Sequence, residues 1–91
     1  MTRIIAALAV VFGGLGLAAC HNTGDPQAAC REVDAAISGY TLYAYDNSSG
    51  GQYAVCWLRN STTFTTIIRC QSYATHEIFM CTVNSAGEVQ V

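Results

Sequence analysis

The sequence predicts a small α+β domain, in which one N-terminal helix packs on a four- to five-stranded antiparallel meander and disulfides staple the fold. The 91 residues suffice for one small domain. Residues from Asp25 to Gly39 carry the start and stop signals of one helix, and from Tyr40 onward β-branched and aromatic residues recur at a spacing of two. We therefore place the folded domain at residues 25–91.

The N-terminal segment differs from the rest and predicts a signal peptide over residues 1–19. Arg3 supplies a positive charge, and no charged residue occurs from Ile4 to Ala19, where small residues close the segment. The alternative is a membrane-spanning helix. A spanning helix needs roughly 20 apolar residues, so this segment is too short, and its three glycines weaken the second half. The pattern favours cleavage over an uncleaved anchor.

The segment ends in Leu17-Ala18-Ala19-Cys20, which resembles the lipobox of bacterial lipoproteins. The resemblance implies that the Cys20 thiol receives a diacylglycerol, that the signal is cut before Cys20, and that the new amino group is acylated. Two or three acyl chains anchor a protein stably, whereas a single chain anchors it only marginally. Cys20 is therefore the predicted lipidation site, and the membrane is the partner of its acyl chains.

The cysteine count fits this interpretation. Removing Cys20 from the five cysteines leaves an even set, which can form two disulfides in the oxidising space beyond the inner membrane. Four cysteines permit three connectivities, and the spacing does not choose among them. The alternative is ordinary secretion, with Cys20 free or paired with another chain. The predicted disulfide cysteines are Cys30, Cys56, Cys70 and Cys81.

Residues 20–24 predict a short lipidated tether, which is polar after the cysteine. In lipoproteins of enterobacteria, Asp after the cysteine favours retention in the inner membrane. The resemblance therefore implies, since His21 stands there, that this chain is sorted to the outer membrane. We expect it in the bacterial cell envelope, at the periplasmic face of the outer membrane.

One helix is predicted after the tether. Asp25 is placed as its N-cap, Pro26 occupies the first helical position, and Gly39 is placed to end it. One apolar stripe of this helix contains Ala29, Cys30, Val33 and Ile37. We therefore expect Cys30 to face the sheet.

The strands follow as runs of apolar and β-branched residues, separated by the turn-forming segments DNSSGG, NST, SYAT and NSAG. They are predicted near Tyr40–Tyr45, Gln52–Arg59, Thr63–Gln71 and His76–Val83, with a weak strand at Glu88–Val91.

The first hairpin predicts which side chains share a face. If Tyr45 pairs with Tyr53, Leu42 lies opposite Cys56, and continued alternation places all three strand cysteines on the face that the helix covers. A helix-to-sheet disulfide from Cys30 follows. The same face is predicted to carry Leu58, Phe64, Ile68, Cys70, Phe79, Cys81 and Val83.

The opposite face is predicted to be aromatic and is the candidate binding surface. Tyr and Trp suit interfaces because each offers a broad apolar ring with a polar group. The alternative is that a second layer buries this face or that it is an ordinary strand surface. The predicted binding residues are Tyr43, Tyr45, Tyr53 and Trp57, with Ile67, Ile78 and Met80 alongside.

The sequence contains no specific catalytic or metal-binding signature, such as C-x-x-C, H-E-x-x-H or G-x-S-x-G. His76 and Glu77 are adjacent, but neighbours on a strand point to opposite faces. His21 follows Cys20, whose sulfur is no metal ligand once it is lipidated. We therefore expect no enzyme activity, no cofactor, no catalytic residue and no metal site.

The charge pattern disfavours nucleic acid as a partner. From residue 20 onward the chain has three arginines against six acidic residues, and no basic patch. The predicted function is a non-enzymatic binding module for an envelope protein or polymer. The alternative is an inhibitor or exclusion factor that blocks an envelope hydrolase or receptor. A co-transcribed envelope gene would favour the first function, and neighbouring phage or plasmid genes the second.

Overall fold

The computed structural model describes residues 24–91 and confirms the predicted α+β class. The elements are α1 (Pro26–Ala36), β1 (Tyr40–Asn47), β2 (Tyr53–Asn60), β3 (Thr66–Ser72), β4 (Ile78–Met80), β5 (Thr82–Val83) and β6 (Val89–Gln90). The antiparallel sheet has the strand order β1-β2-β3-β4, and β5 and β6 form a separate two-stranded sheet.

No helix in the described part of the chain has the length and apolar character needed to cross a membrane. The predicted signal peptide and the predicted lipidation site Cys20 lie outside the described residues.

The predicted helix start is confirmed. Asp25 is the N-cap, and its Oδ1 accepts hydrogen bonds from the backbone N–H groups of Gln27 and Ala28 at 3.0 and 3.3 Å. The helix ends at Ala36, three residues before Gly39. Gly39 has a φ of +84°, which glycine adopts without strain, and turns the chain into β1.

The first hairpin forms, but the predicted register is wrong. Tyr45 lies opposite Cys56 instead of Tyr53, and Leu42 lies opposite Leu58, because only five residues form the turn and a bulge follows Leu42. The shift of two residues leaves Leu42 on its predicted face. The shift of three residues moves Tyr45 to the other face, the one that carries Cys56.

The next connection places Cys70 on the wrong face for the prediction. β3 begins at Thr66, three residues later than expected, and its register sets Val55 opposite Cys70 and Cys56 opposite Arg69. Cys70 and Cys56 therefore point to opposite faces of the sheet. For the same reason Ile68 and Phe79 lie on the face away from the helix, whereas Ile67 and Ile78 pack against the helix-side core.

The strand predicted at His76–Val83 is two strands. β4 pairs with Arg69, Cys70 and Gln71 of β3, after which the chain leaves the sheet at Cys81 and continues as β5. The predicted strand Glu88–Val91 appears as β6, which pairs with β5 and not with the main sheet. His76 and Glu77 precede β4 and lie in a turn, where His76 has a φ of +63°.

The domain has two small cores, one on each face of the sheet. The helix-side core consists of Ala29, Cys30, Val33, Ala54, Cys56 and Leu58. The second core lies under the β5–β6 hairpin and consists of Val55, Cys70 and Cys81, with Trp57, Ile68, Phe79, Val83 and Val89 packed against it. Each core contains one disulfide, Cys30–Cys56 and Cys70–Cys81. The expected helix-to-sheet disulfide is confirmed, whereas the expectation that Cys70 and Cys81 face the helix is wrong.

Candidate functional site

The four predicted binding residues do not share one surface. Tyr45 lies opposite Cys56 and so belongs to the helix side of the sheet. Tyr53 lies on the other side, where its ring makes an edge-to-face contact with Phe79 at a centroid distance of 5.4 Å. Tyr43 and Trp57 lie on that side too, so three of the four predicted residues share a face of the sheet and Tyr45 does not.

Tyr43, Trp57 and Arg59 form what we call the Tyr43 surface. Trp57 and Arg59 are two residues apart on β2 and so share a face, and the Arg59 guanidinium lies 4.3 Å from the centre of the Tyr43 ring. Tyr43 sits at the bulge of β1 and is 47% exposed. Trp57 is half-buried because one side of it packs against the second core. The surface therefore offers one exposed ring, one anchored ring and one cation.

A second exposed aromatic ring lies in the connection between β2 and β3, which we call the Phe64 loop (residues 60–65). Phe64 is 72% exposed and has a φ of +60°, a left-handed backbone that a bulky residue rarely adopts. The sequence predicts Phe64 in a strand and facing inward, and the structure shows that this prediction is wrong.

Hydrogen bonds from Asn60 hold the Phe64 loop in this shape. Its Oδ1 accepts from the backbone N–H groups of Thr62 and Thr63 at 2.8 and 3.0 Å. Its backbone carbonyl accepts from Phe64 N at 2.7 Å, and its own N–H donates to Thr65 O at 2.8 Å. An Asn followed by Ser and Thr favours such a side-chain-to-backbone turn, so Asn60 was the signal in the sequence that a loop begins here.

Gly24, Asn47 and Tyr73 form what we call the tether clamp. Asn47 Nδ2 donates to Gly24 O at 3.5 Å, and the Tyr73 hydroxyl donates to Asn47 Oδ1. The Tyr73 ring lies so close to Gly24 that a Cβ at residue 24 would overlap the ring carbons. Burial raises the pKa of Tyr73 to about 12, with smaller contributions from the Asp25 and Asp46 carboxylates. The clamp fixes where the N-terminal segment leaves the domain.

The one close contact between acidic and basic side chains of the described residues joins α1 to the turn before β4. Glu32 Oε1 lies 3.7 Å from His76 Nδ1 and accepts a hydrogen bond from Gln71 Nε2 at 3.2 Å. The nearly fully buried Gln71 also donates to His76 O at 3.2 Å. These contacts attach the helix to the turn before β4. The described residues contain no group of three or more His, Cys, Asp or Glu side chains that could hold a metal ion.

Comparisons with known proteins give no match for this chain. No protein-family model matches it. A search of curated proteins and a search of solved structures also find no match.

Proposed function

We propose that this chain is the precursor of a lipid-anchored protein of the bacterial envelope, attached by acyl chains on Cys20, whose domain acts as a non-enzymatic binding module. The pairing of the other cysteines carries the proposal. Cys30 bonds to Cys56 and Cys70 to Cys81, so the described domain leaves no cysteine to pair with Cys20. That pairing fits a Cys20 thiol used in a different chemistry, at the end of the sequence Leu-Ala-Ala-Cys.

Replacing the proposed lipid acceptor tests the anchor. Cys20→Ser removes the thiol that receives diacylglycerol, so we expect the chain to accumulate as an uncleaved precursor without acyl mass. Inhibition of the lipoprotein signal peptidase by globomycin gives a cleavage block in the unchanged chain. His21→Ser is the matched control, since it leaves the Leu-Ala-Ala-Cys sequence intact and is expected to mature normally. Normal cleavage and membrane release of Cys20→Ser would contradict the anchor.

The Tyr43 surface is the proposed contact for a partner in the envelope. Tyr, Trp and Arg dominate the energetics of protein interfaces, and the aromatic rings bury large areas with little loss of conformational freedom. Tyr43 is exposed, and the Arg59 guanidinium restricts its ring before any partner arrives. Such preorganisation lowers the entropic cost of binding. Of the binding residues predicted from the sequence, Tyr43 and Trp57 belong to this surface, and the structure adds Arg59 to them.

Two tyrosines of the same strand provide a matched pair of variants. Tyr43 and Tyr45 are 47% and 44% exposed but lie on different faces of β1. Tyr43→Ala is expected to weaken capture of envelope partners by the purified, acylated protein at least tenfold, and Tyr45→Ala to leave capture unchanged. Equal effects of the two substitutions would remove the Tyr43 surface as the contact.

A further inference from the structure

The Phe64 loop presents an apolar ring to solvent in a backbone conformation that favours glycine. Phe64 is 72% exposed, and its left-handed φ of +60° is held by the hydrogen bonds of Asn60. The ring belongs to neither of the two cores. Folding therefore gains little from this side chain, and its placement points to a contact outside the domain.

The residues of the Phe64 loop itself are neutral and rich in hydroxyl groups, and Arg59, which precedes the loop, lies over the Tyr43 ring. From residue 60 to residue 66 the sequence is NSTTFTT, without a charged residue. Thr63 and Thr65 stand on either side of Phe64, and their hydroxyls form a hydrogen bond with each other at 2.8 Å, while Thr63 Oγ1 also accepts from Thr65 N at 3.3 Å. One hydroxyl hydrogen and the remaining lone pairs of the two oxygens are left for a ligand. A hydroxyl both donates and accepts hydrogen bonds, as do the hydroxyls of a sugar, and an aromatic ring offers a flat apolar face to the C–H groups of a sugar ring. The loop therefore suits a neutral, polyhydroxylated ligand better than a charged one.

The loop and the tether clamp lie at opposite ends of the sheet. The clamp residue Asn47 ends β1 and lies opposite Ala54, whereas the loop begins at Asn60, at the other end of β2. Six residue steps along an extended strand span about 20 Å. Since Gly24 is held at the clamp, the N-terminal segment leaves the domain at the end away from Phe64.

The length of the tether decides which end of the domain lies near the membrane once Cys20 is acylated. The four steps from Cys20 to Gly24 span at most about 14 Å, so the clamp end stays close to the membrane. The Phe64 loop then faces away from the membrane, at up to about 35 Å from it.

We propose that the Phe64 loop is a glycan-binding tip, which contacts the neutral sugar backbone of the envelope polymer on the side of the domain away from the membrane. Phe64 stacks on the sugar, and the threonine hydroxyls beside it exchange hydrogen bonds with sugar hydroxyls. This inference rests on the proposed envelope location, and it assigns a neutral glycan as the partner of the Phe64 loop.

Co-sedimentation of the purified, acylated protein with isolated peptidoglycan sacculi tests the inference. Phe64→Gly suits the left-handed backbone, so it removes the ring without straining the loop, and we expect its dissociation constant to rise at least tenfold. Phe64→Tyr keeps a ring and is expected to bind as the unchanged protein does. Met80→Ala is the matched control, because Met80 is 69% exposed and lies in β4, outside the loop.

Soluble N-acetylglucosamine oligomers are expected to displace the protein from sacculi, whereas the stem peptide alone is not. Unchanged sedimentation of Phe64→Gly, or no sedimentation of the unchanged protein, would overturn the inference. Displacement by the stem peptide and not by the oligomers would assign the contact to the peptide and overturn the glycan class. The acyl mass on Cys20 is measured on the same preparation, so a failed anchor is seen separately from failed sugar binding.

Discussion

Replacing both Cys70 and Cys81 with alanine is expected to detach the β5–β6 hairpin before it disturbs the helix-side core. The disulfide closes a loop with a sequence separation of 11 residues. In the chain-entropy account, its removal costs about 2.8 kcal/mol of unfolding free energy. In a domain of this size, each kcal/mol shifts the melting temperature by roughly 4–8 °C, so we expect a fall of about 10–20 °C.

The local effect follows from how few other contacts hold the hairpin. Val83 and Val89 pack against the second core, and Ser49 N–H donates to Gly87 O at 2.7 Å. Without the disulfide, this small apolar contact must hold the hairpin almost alone. The Ser49 amide is therefore expected to exchange with solvent much faster, whereas the amide of Val33 in α1 keeps most of its relative protection.

Thermal unfolding by circular dichroism and amide hydrogen exchange measure the two effects. The double substitution of Cys30 and Cys56 is the matched control, since that disulfide has a separation of 26 residues and is worth about 3.5 kcal/mol in the same account. Its removal should expose the helix amides first. An unchanged melting temperature after loss of Cys70–Cys81, or the same exchange pattern in both variants, would refute the assignment of one disulfide to each core.

Two further substitutions and one pH titration test the clamp end of the domain. Asp25→Ala should lower the unfolding free energy by about 1 kcal/mol through loss of the helix cap, measured by urea denaturation, and an unchanged midpoint would contradict the capping role. Gly24→Ala should lower it by about 1–3 kcal/mol because its Cβ meets the Tyr73 ring; a variant as stable as the unchanged protein would show that no clamp forms. The pKa of Tyr73 is about 12 in the fold against 10 in the unfolded chain. Since its neutral form is favoured by folding, the contribution of Tyr73 to stability should be complete below pH 10 and disappear as the pH rises to 12, and Tyr73→Phe, the control, should lack that component.

Features set by neighbouring residues could be predicted from the sequence. The helix start depends on Asp25 and Pro26, and both act within one turn, so the prediction matches the structure. The helix-to-sheet disulfide was also predicted. The prediction is confirmed although the predicted register is wrong. Leu42 lies opposite Leu58, two residues from Cys56, so the face that carries Cys56 is still the face toward Cys30.

Features set by loop length could not be predicted in the same way. A connection that differs by an odd number of residues reverses every side chain in the next strand. The longer turn that begins at Asn60 reverses the side chains of β3, including Cys70. The chain then leaves the main sheet at Cys81, so β5 pairs with β6 in a second sheet. The connectivity of the disulfides follows from those faces, which is why cysteine spacing left three options open.

In the candidate site, too, the residue types could be predicted from the sequence and their arrangement could not. Composition identified tyrosines and tryptophan as the residues suited to binding, but only the bulge after Leu42 and the register separate Tyr43 from Tyr45. Phe64 was missed because an apolar residue among threonines has the pattern of a strand. Its left-handed backbone depends on several hydrogen bonds to Asn60, which spacing alone does not indicate.

Mass spectrometry of the mature protein from membranes, alkylated without reduction, tests the central claim most directly. We predict an N-terminal peptide that begins at Cys20 and carries diacylglycerol and an N-acyl chain. The same digest should contain the linked pairs Cys30–Cys56 and Cys70–Cys81 and no alkylated cysteine. An alkylated Cys20, or a mature chain that begins elsewhere without acyl mass, would contradict the account.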